Sequence, residues 1–549
     1  MGLSFQNDDR PLLIHQPWIA MVALISQPCH ESAIRGSVAT APCDAASGKW
    51  VLTATILGSS MAFIDGTVVN VALPALQSNL QAGVADVQWV IEAYALLLAA
   101  LLLVGGSLGD RYGRRRIFVI GVAIFAAASG WCGLAGDIRQ LIIARALQGF
   151  GAALLVPGSL AIISSAFPEE ERGRAIGTWS GFSAIMAAIG PVAGGWLVDH
   201  VSWRAVFFIN IPLAMIVIAI SLSHVPESKG GDKGRLDWRG AFLTVISLGT
   251  LVFALIESSR LGFAHPAILI SFLVACLSCA AFLRLERRSR HPMLPLQLFH
   301  SRTFTGANLL TLFLYSALSG TLFFLPLNLI QVQRYTPTQA GAALLPLILI
   351  IFLLSRWSGG LVHRYGAKNP LIIGPLIAAI GFALFLVPGV GGSYWITFFP
   401  AVVVLGVGMA VSVAPLTTTV MNSVGQEHVG IASGVNNAVS RTAGLLAIAL
   451  FGIVMLQCFN GSLDARLRVL SLPASMQKMV QEQRSKLAGA DLSGSPQETA
   501  PLARDAIDRS FVDAFRRVMI LGAALALASA VAAWRLIASR QTPPSAPTP

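Results

Sequence analysis

The 549-residue chain is 55% hydrophobic and only 12% charged, with a mean hydropathy of +0.71, whereas soluble domains carry about 25% charged residues. That balance excludes a water-soluble domain and implies a polytopic membrane protein. The formal charge of +12 does not point to nucleic acid, because the basic residues fall in short clusters between apolar runs, as they do in cytoplasmic loops.

Residues 1–49 contain one apolar run, Trp18 to Ile25, far short of the roughly 20 residues that a spanning helix needs. They read as a cytoplasmic N-terminal tail. From Trp50 onward, apolar runs of spanning length alternate with short polar turns. They predict fourteen helices near 50–77, 88–108, 117–136, 140–167, 174–198, 203–224, 239–258, 264–284, 303–331, 339–362, 370–389, 393–420, 430–457 and 511–537. An even number leaves both ends on one side.

Charge orients them. Alternate loops hold Arg111 to Arg116, then Arg172 and Arg174, then Lys229 to Arg239, then Arg284 to Arg302, then Arg364 and Lys368, while the short intervening loops hold near-single charges such as Arg139, Arg204, Arg260 and Arg334. The excess of Lys and Arg belongs inside, so both termini are expected in the cytoplasm and the protein in the cytoplasmic (inner) membrane. The stretch from Cys458 to Ser510 is then external. It is polar, carries an expected amphipathic helix around Met476 to Leu487, and reads as a solvated cap, with contact to a periplasmic adaptor protein as the competing reading.

The first of these basic turns, GSLGDRYGRR from Gly106 to Arg115, has a second copy in GGLVHRYGAK from Gly359 to Lys368. The copies agree at Gly, Leu, Arg, Tyr and Gly, which implies two halves of similar, parallel topology. The expected plan is a tail (1–49), an N-terminal six-helix bundle (50–224), two inserted helices with their loops (225–302), a C-terminal six-helix bundle that includes the external loop 458–510 (303–540), and a cytoplasmic tail (541–549).

Four stretches together resemble the major facilitator superfamily, in its fourteen-helix drug:proton antiporter branch of EmrB/QacA-type exporters. GSLGDRYGRR is similar to the signature turn between the second and third helices, with Gly106, Asp110, Arg111, Gly113, Arg114 and Arg115 in its pattern. ARALQGFGAALLVPGS resembles the conserved-arginine motif of the fourth helix, with Arg145. GPVAGG, comprising Gly190, Pro191, Gly194 and Gly195, resembles the antiporter motif of the fifth. DGTVVNVALP, beginning at Asp65, resembles the first-helix motif of this branch. Two departures stand out: Met186 occupies a usual glycine position in the fifth-helix motif, and His363 replaces the acidic residue in the second signature turn.

The residues carry chemistry of their own. A carboxylate in the hydrocarbon costs roughly 2.5–3.5 kcal/mol even on insertion scales, so Asp65 requires a partner or a proton. At 1.5 Å per residue, Asp65 lies about 22 Å up the first helix and Arg145 about 8 Å below the outer face, so the two can meet if their helices face one cavity. Burial favours a neutral carboxyl and a nearby cation favours a charged one, which makes Asp65 a candidate proton-binding group tuned by Arg145. A purely structural helix interaction is the competing reading.

Glu92, near the outer end of the second helix, is a second candidate for a proton or a cationic substrate, with solvation as the alternative. Arg441, deep in the thirteenth helix, has no partner that sequence identifies; it either pairs across the halves or meets an anionic substrate. For Asp110 the resemblance implies contacts to the opposite half that close the cytoplasmic gate. The glycines and proline of the fifth helix imply a tight, bendable seam.

The expected activity is export of amphipathic drugs or toxic metabolites by alternating access, driven by protons and without other cofactors. Its partners are the lipid bilayer and a small-molecule substrate. No metal-spaced histidine cluster, phosphate loop or nucleophile constellation suggests an enzyme. A dedicated metabolite exporter or proton-coupled importer on the same fold is the nearest rival, and a non-transporting sensor a more distant one.

Overall fold

The computed structural model describes residues 45–229, 237–289, 294–425, 429–470, 472–493 and 499–538. The expected tails thus lie outside the described residues, save 45–49, which are helical. Among the described residues the chain is helical with no strand, as lipid demands of a chain that must satisfy its backbone groups internally.

The first half comprises α1 (Ala45–Asn79), α2 (Val84–Tyr112), α3 (Arg114–Leu134), α4 (Ile138–Ala166), α5 (Glu169–His200), the short α6 (Ala205–Phe208) and α7 (Asn210–His224). Helices α6 and α7 form one span, interrupted where Pro212 cannot supply a backbone donor to the turn before it. Next come α8 (Trp238–Leu261) and α9 (Pro266–Arg288), a hairpin in which α8 also packs on α2.

The second half runs through α10 (Arg302–Leu327), α11 (Pro337–Ala343), α12 (Leu345–Gly359), α13 (Leu361–Tyr365), α14 (Lys368–Leu384), α15 (Tyr394–Thr397), α16 (Phe399–Asn422), α17 (Val429–Val469), α18 (Ala474–Gln483) and α19 (Ala500–Leu536). The continuous helix expected over 339–362 is instead three pieces, α11 to α13. Pro346 stands in the first turn of α12, where its missing N–H is tolerated but cannot continue α11. Among the described residues thirteen spans are long and apolar enough to cross a membrane, and α14, at 17 residues, is a shorter apolar helix. Together they account for the fourteen expected.

The internal repeat is visible in the backbone. Gly113 and Gly366, in register between the two signature turns, both end a helix with positive φ, 113° and 75°. Gly113 is also crowded, since a Cβ there would fall 2.8 Å from the Glu227 carboxylate.

The halves meet where α2 packs on α17, α5 on α11 and α12, and α1 on α10. One face of the molecule carries the Arg111–Arg116 turn. The opposite face is covered by a cap. Hydropathy suggested a polar loop over 458–510, but α17 continues to Val469 and α19 begins at Ala500, so both ends of that stretch are prolonged helix. Helix α18 buries Met476 and Val480 and turns Gln477, Lys478, Gln481 and Glu482 to solvent, the amphipathic helix that was expected.

The 3-10 turn Arg484–Gly489 then lies across both halves. Gln77 of α1 donates to the Lys486 carbonyl (3.2 Å), Gln331 donates to Gln77 (2.7 Å), and Arg504 holds the carbonyls of Ala488 (2.6 Å) and Ala490 (2.8 Å). Ion pairs of Arg334 and Arg504 with Asp508, and of Arg466 with Asp513, tie the cap together.

Candidate functional site

Asp65 and Arg145 meet. The Asp65 Oδ2 to Arg145 Nη1 distance is 2.5 Å, and both side chains are removed from solvent, at 0% and 1% exposure. Neither charge is left to its partner alone. Arg145 donates Nε–H to the Val90 carbonyl at 3.0 Å and Nη1–H to Gln148 at 2.7 Å, and its guanidinium lies 4.3 Å from the centroid of the Tyr94 ring. The amide of Gln148 donates to Asp65 Oδ1 and to Ser129, each at 2.8 Å, and Asn210 donates to Ser129 at 2.9 Å. A buried pair is sustained only with further hydrogen bonds to its members, and here the Val90 carbonyl and Gln148 supply them.

The network draws on α1, α2, α3, α4 and α7, all of the first half. Among the described residues no group of the second half bonds to the pair. Close packing brings these helices together: a Cβ at Gly149 would lie 2.3 Å from the Tyr94 carbonyl oxygen, so only glycine admits α2 so near α4. Sequence reasoning found the two charges but not Gln148, Ser129, Asn210 or Tyr94, whose residue types are commonplace in membrane helices.

Glu92 is placed differently from the expected interfacial position. Helix α2 begins at Val84, so Glu92 lies about 12 Å along it, fully buried, with no hydrogen-bond partner for either carboxylate oxygen. The reading of Glu92 as solvated is therefore corrected. It shares a helical face with Ala85, Trp89 and Ala99, at spacings of seven and three. That face packs against Val252 and Ile256 of α8 and Leu445 and Ala449 of α17. The inserted helix thus walls this carboxyl from lipid.

Arg441 lies on α17, half-buried, with no ion pair or hydrogen bond among the described residues. Tyr94 of the other half lies within electrostatic range of it. It is not paired with Glu92.

The signature turn is built as a helix junction. Asp110 accepts from Arg114 Nε at 2.8 Å within the same half. Glu227, which sequence reasoning passed over, accepts from the backbone N–H groups of Arg115 (3.0 Å) and Arg116 (3.1 Å), capping the start of α3. Arg115 donates to the Val225 carbonyl at 3.0 Å. Arg111 is exposed, beside the Tyr112 ring, and a Cβ at Gly106 would meet Pro157 at an ordinary contact distance of 3.7 Å.

The antiporter motif is a seam. A Cβ at Gly190 or Gly194 would collide with Thr67 or Val68 of α1, each at 2.1 Å. A Cβ at Gly195 would lie 2.4 Å from the Pro337 carbonyl, and one at Gly341 of α11 would lie 2.1 Å from the Pro191 carbonyl. Asp199 adds bonds to the backbone and hydroxyl of Thr338. On the cap side, therefore, α5 touches α11 backbone to backbone, and this seam is closed.

The chain matches the Major Facilitator Superfamily family profile over residues 55–448. It is 35% identical to the multidrug resistance protein Stp of Mycobacterium tuberculosis over 435 residues, covering 78% of this chain and 80% of that protein. It is 33% identical to the tetracenomycin C resistance and export protein of Streptomyces glaucescens, over 76% and 78% of the two chains. Identity to the methylenomycin A resistance protein of Bacillus subtilis is also 33%, over 74% and 88%. Among solved structures, a bacterial homologue of the human lysosomal transporter Spinster, inward-facing and unoccupied, superimposes with a TM-score of 0.65 at 17% identity, covering 90% of this chain and 99% of that one. The fold, the paired motifs and these relatives agree: the chain is a multi-pass membrane transporter of the major facilitator superfamily, related to its fourteen-helix drug-efflux members.

Proposed function

We propose that the protein exports amphipathic drugs or toxic metabolites across the cytoplasmic membrane in exchange for protons, by rocking an N-terminal bundle (50–224) against a C-terminal bundle (303–540), with both termini inside and segment 225–302 inserted between them. The observation that carries this reading is the buried Asp65–Arg145 pair. When a proton neutralises Asp65, Arg145 keeps Gln148, the Val90 carbonyl and the Tyr94 ring, so the cation stays solvated by the protein while the attraction that holds α1 to α4 falls. Two residues after Asp65, Thr67 begins the contact with the fifth-helix glycines. A shift of α1 therefore acts directly on the seam to α11.

Glu92 supplies a second proton-binding position at the other contact between the halves, where α2 meets α17. A carboxyl with no partner in apolar surroundings takes up a proton when the contact closes and releases it when water enters. Asp110 serves as a gating group on the arginine-rich face, free to exchange Arg114 for a partner on the opposite bundle when that face closes.

The test is transport by Asp65→Asn protein in energised inverted vesicles. Export is expected to lose its dependence on the proton gradient and to fall by a factor of ten or more on the scale of a lost charge-assisted bond. Undiminished, gradient-driven export by Asp65→Asn would refute the assignment.

A further inference from the structure

Two contacts fix the register of α17 against α2. Gln88 donates its side-chain amide to the Ile448 carbonyl at 2.7 Å, and a Cβ at Gly434 would touch the Leu103 side chain at 3.3 Å. Arg441 stands midway between Gly434 and Ile448. It therefore faces the part of α2 midway between Leu103 and Gln88, at residues 95 and 96, with Tyr94 within electrostatic range. Helix α2 extends from Val84 to Tyr112, so Arg441 stands within a turn of the middle of that span. It also belongs to the seam stripe Gly434, Arg441, Leu445, Ile448 and Gly452, whose steps of seven, four, three and four keep one helical face toward the partner helix.

A guanidinium at mid-depth, on the face one half presents to the other, normally has a counter-ion, because an uncompensated interior cation is costly. Here neither nearby carboxylate supplies one. Asp65 is taken by Arg145 and Gln148, and Glu92, on the face of α2 that meets α8 and α17, makes no hydrogen bond or ion pair among the described residues. Arg441 is only half-buried, so its unused donors open onto the space between the halves. In transporters built from repeated halves, that mid-depth interface is where cargo binds.

We propose that Arg441 is the anion-binding element of the cargo site, and that the favoured cargo is an apolar compound bearing a carboxylate, sulfonate or phenolate. The planar fork of the guanidinium takes the anionic group in a charge-assisted bond, and the apolar frame lies against the apolar side chains of the α2–α17 seam, Leu96 and Leu445 among them. The inference rests on the export reading above, since it assigns a cargo to that transporter.

The test compares fluorescein, an anion, with rhodamine 123, a cation on nearly the same frame. Equilibrium binding to purified full-length protein without a proton gradient is measured for wild type, Arg441→Gln and Arg441→Lys. Wild type is expected to bind fluorescein in preference to rhodamine 123. Arg441→Gln should weaken fluorescein binding about tenfold or more and leave rhodamine 123 unchanged or tighter. Arg441→Lys should stay within about threefold of wild type. Equal fluorescein affinity in wild type and Arg441→Gln, or a wild-type preference for rhodamine 123, would overturn the proposal. Because no gradient is involved, those results leave proton-driven export in vesicles to stand or fall separately. Unchanged thermal unfolding of Arg441→Gln shows that the loss is not one of folding.

Discussion

Two arginines neighbour Tyr94 and live in opposite circumstances. Arg145 is sealed within one bundle, with a carboxylate, an amide oxygen, a backbone carbonyl and an aromatic face all arranged around it. Arg441 lies at the junction of the bundles, with every donor unused among the described residues. The first resembles a completed ion pair and the second a pair missing its other member. A charge satisfied inside one rigid body can bias that body's conformation, whereas a charge left open between two bodies can bind something that comes and goes.

The contrast can be broken most forcefully by stranding each cation in turn. Asp65→Ala leaves Arg145 buried without its counter-ion and is expected to cost about 3–5 kcal/mol, lowering the thermal midpoint in detergent sharply and abolishing transport. Arg441→Leu, which removes a charge that has no protein partner, should leave the midpoint unchanged or raise it. If the two substitutions destabilise equally, the distinction drawn here is mistaken. The double change Asp65→Leu with Arg145→Met sharpens the point. It should recover most of the lost stability, because an apolar pair replaces a buried ionic one at little cost, without restoring proton coupling.

The next largest effect falls on the seam. Gly195→Val places side-chain atoms where the Pro337 carbonyl already stands, so the cap-side contact of α5 with α11 cannot close. Accessibility of a cysteine at Thr338 to a membrane-impermeant thiol reagent should rise several-fold. Unchanged labelling would show that the backbone approach is dispensable. The smallest effect is expected from Glu227→Gln, which weakens charge-assisted capping of α3 by about 1 kcal/mol, read as a modest fall in unfolding temperature with transport retained.

Much of this was legible in the sequence because charge is rare in apolar runs. Asp65, Arg145, Glu92 and Arg441 each interrupt a spanning stretch, and counting residues along the first and fourth helices was enough to put two of them within reach in depth, on condition that their helices face one cavity. What was not legible depends on rotation about the helix axis. The depth of Glu92 could be estimated, but not that its face turns to Val252 of α8 and Leu445 of α17, since that requires knowing the neighbours. Gln148, Ser129 and Asn210 join the Asp65 network without carrying any charge to mark them. Helix ends were misjudged for a related reason: hydropathy reports the thickness of the lipid, and α17 and α19 continue as polar helix beyond it. The departures at Met186 and His363 alter neither the fifth-helix seam nor the positive φ of Gly366.

The cap has a bearing on how the far face opens. Among the described residues only three that are not glycine have left-handed backbone, Gln81, Arg334 and Leu487, a conformation costing of order 1–3 kcal/mol for such residues. All three lie around the cap turn: Lys486 binds Gln81, Arg334 binds the Gln331 carbonyl and Asp508, and Leu487, within the turn, is buried. Backbone strain is thus concentrated where the closed face must part, and strain released at Leu487 as the turn lifts would offset part of the bonds given up to both halves.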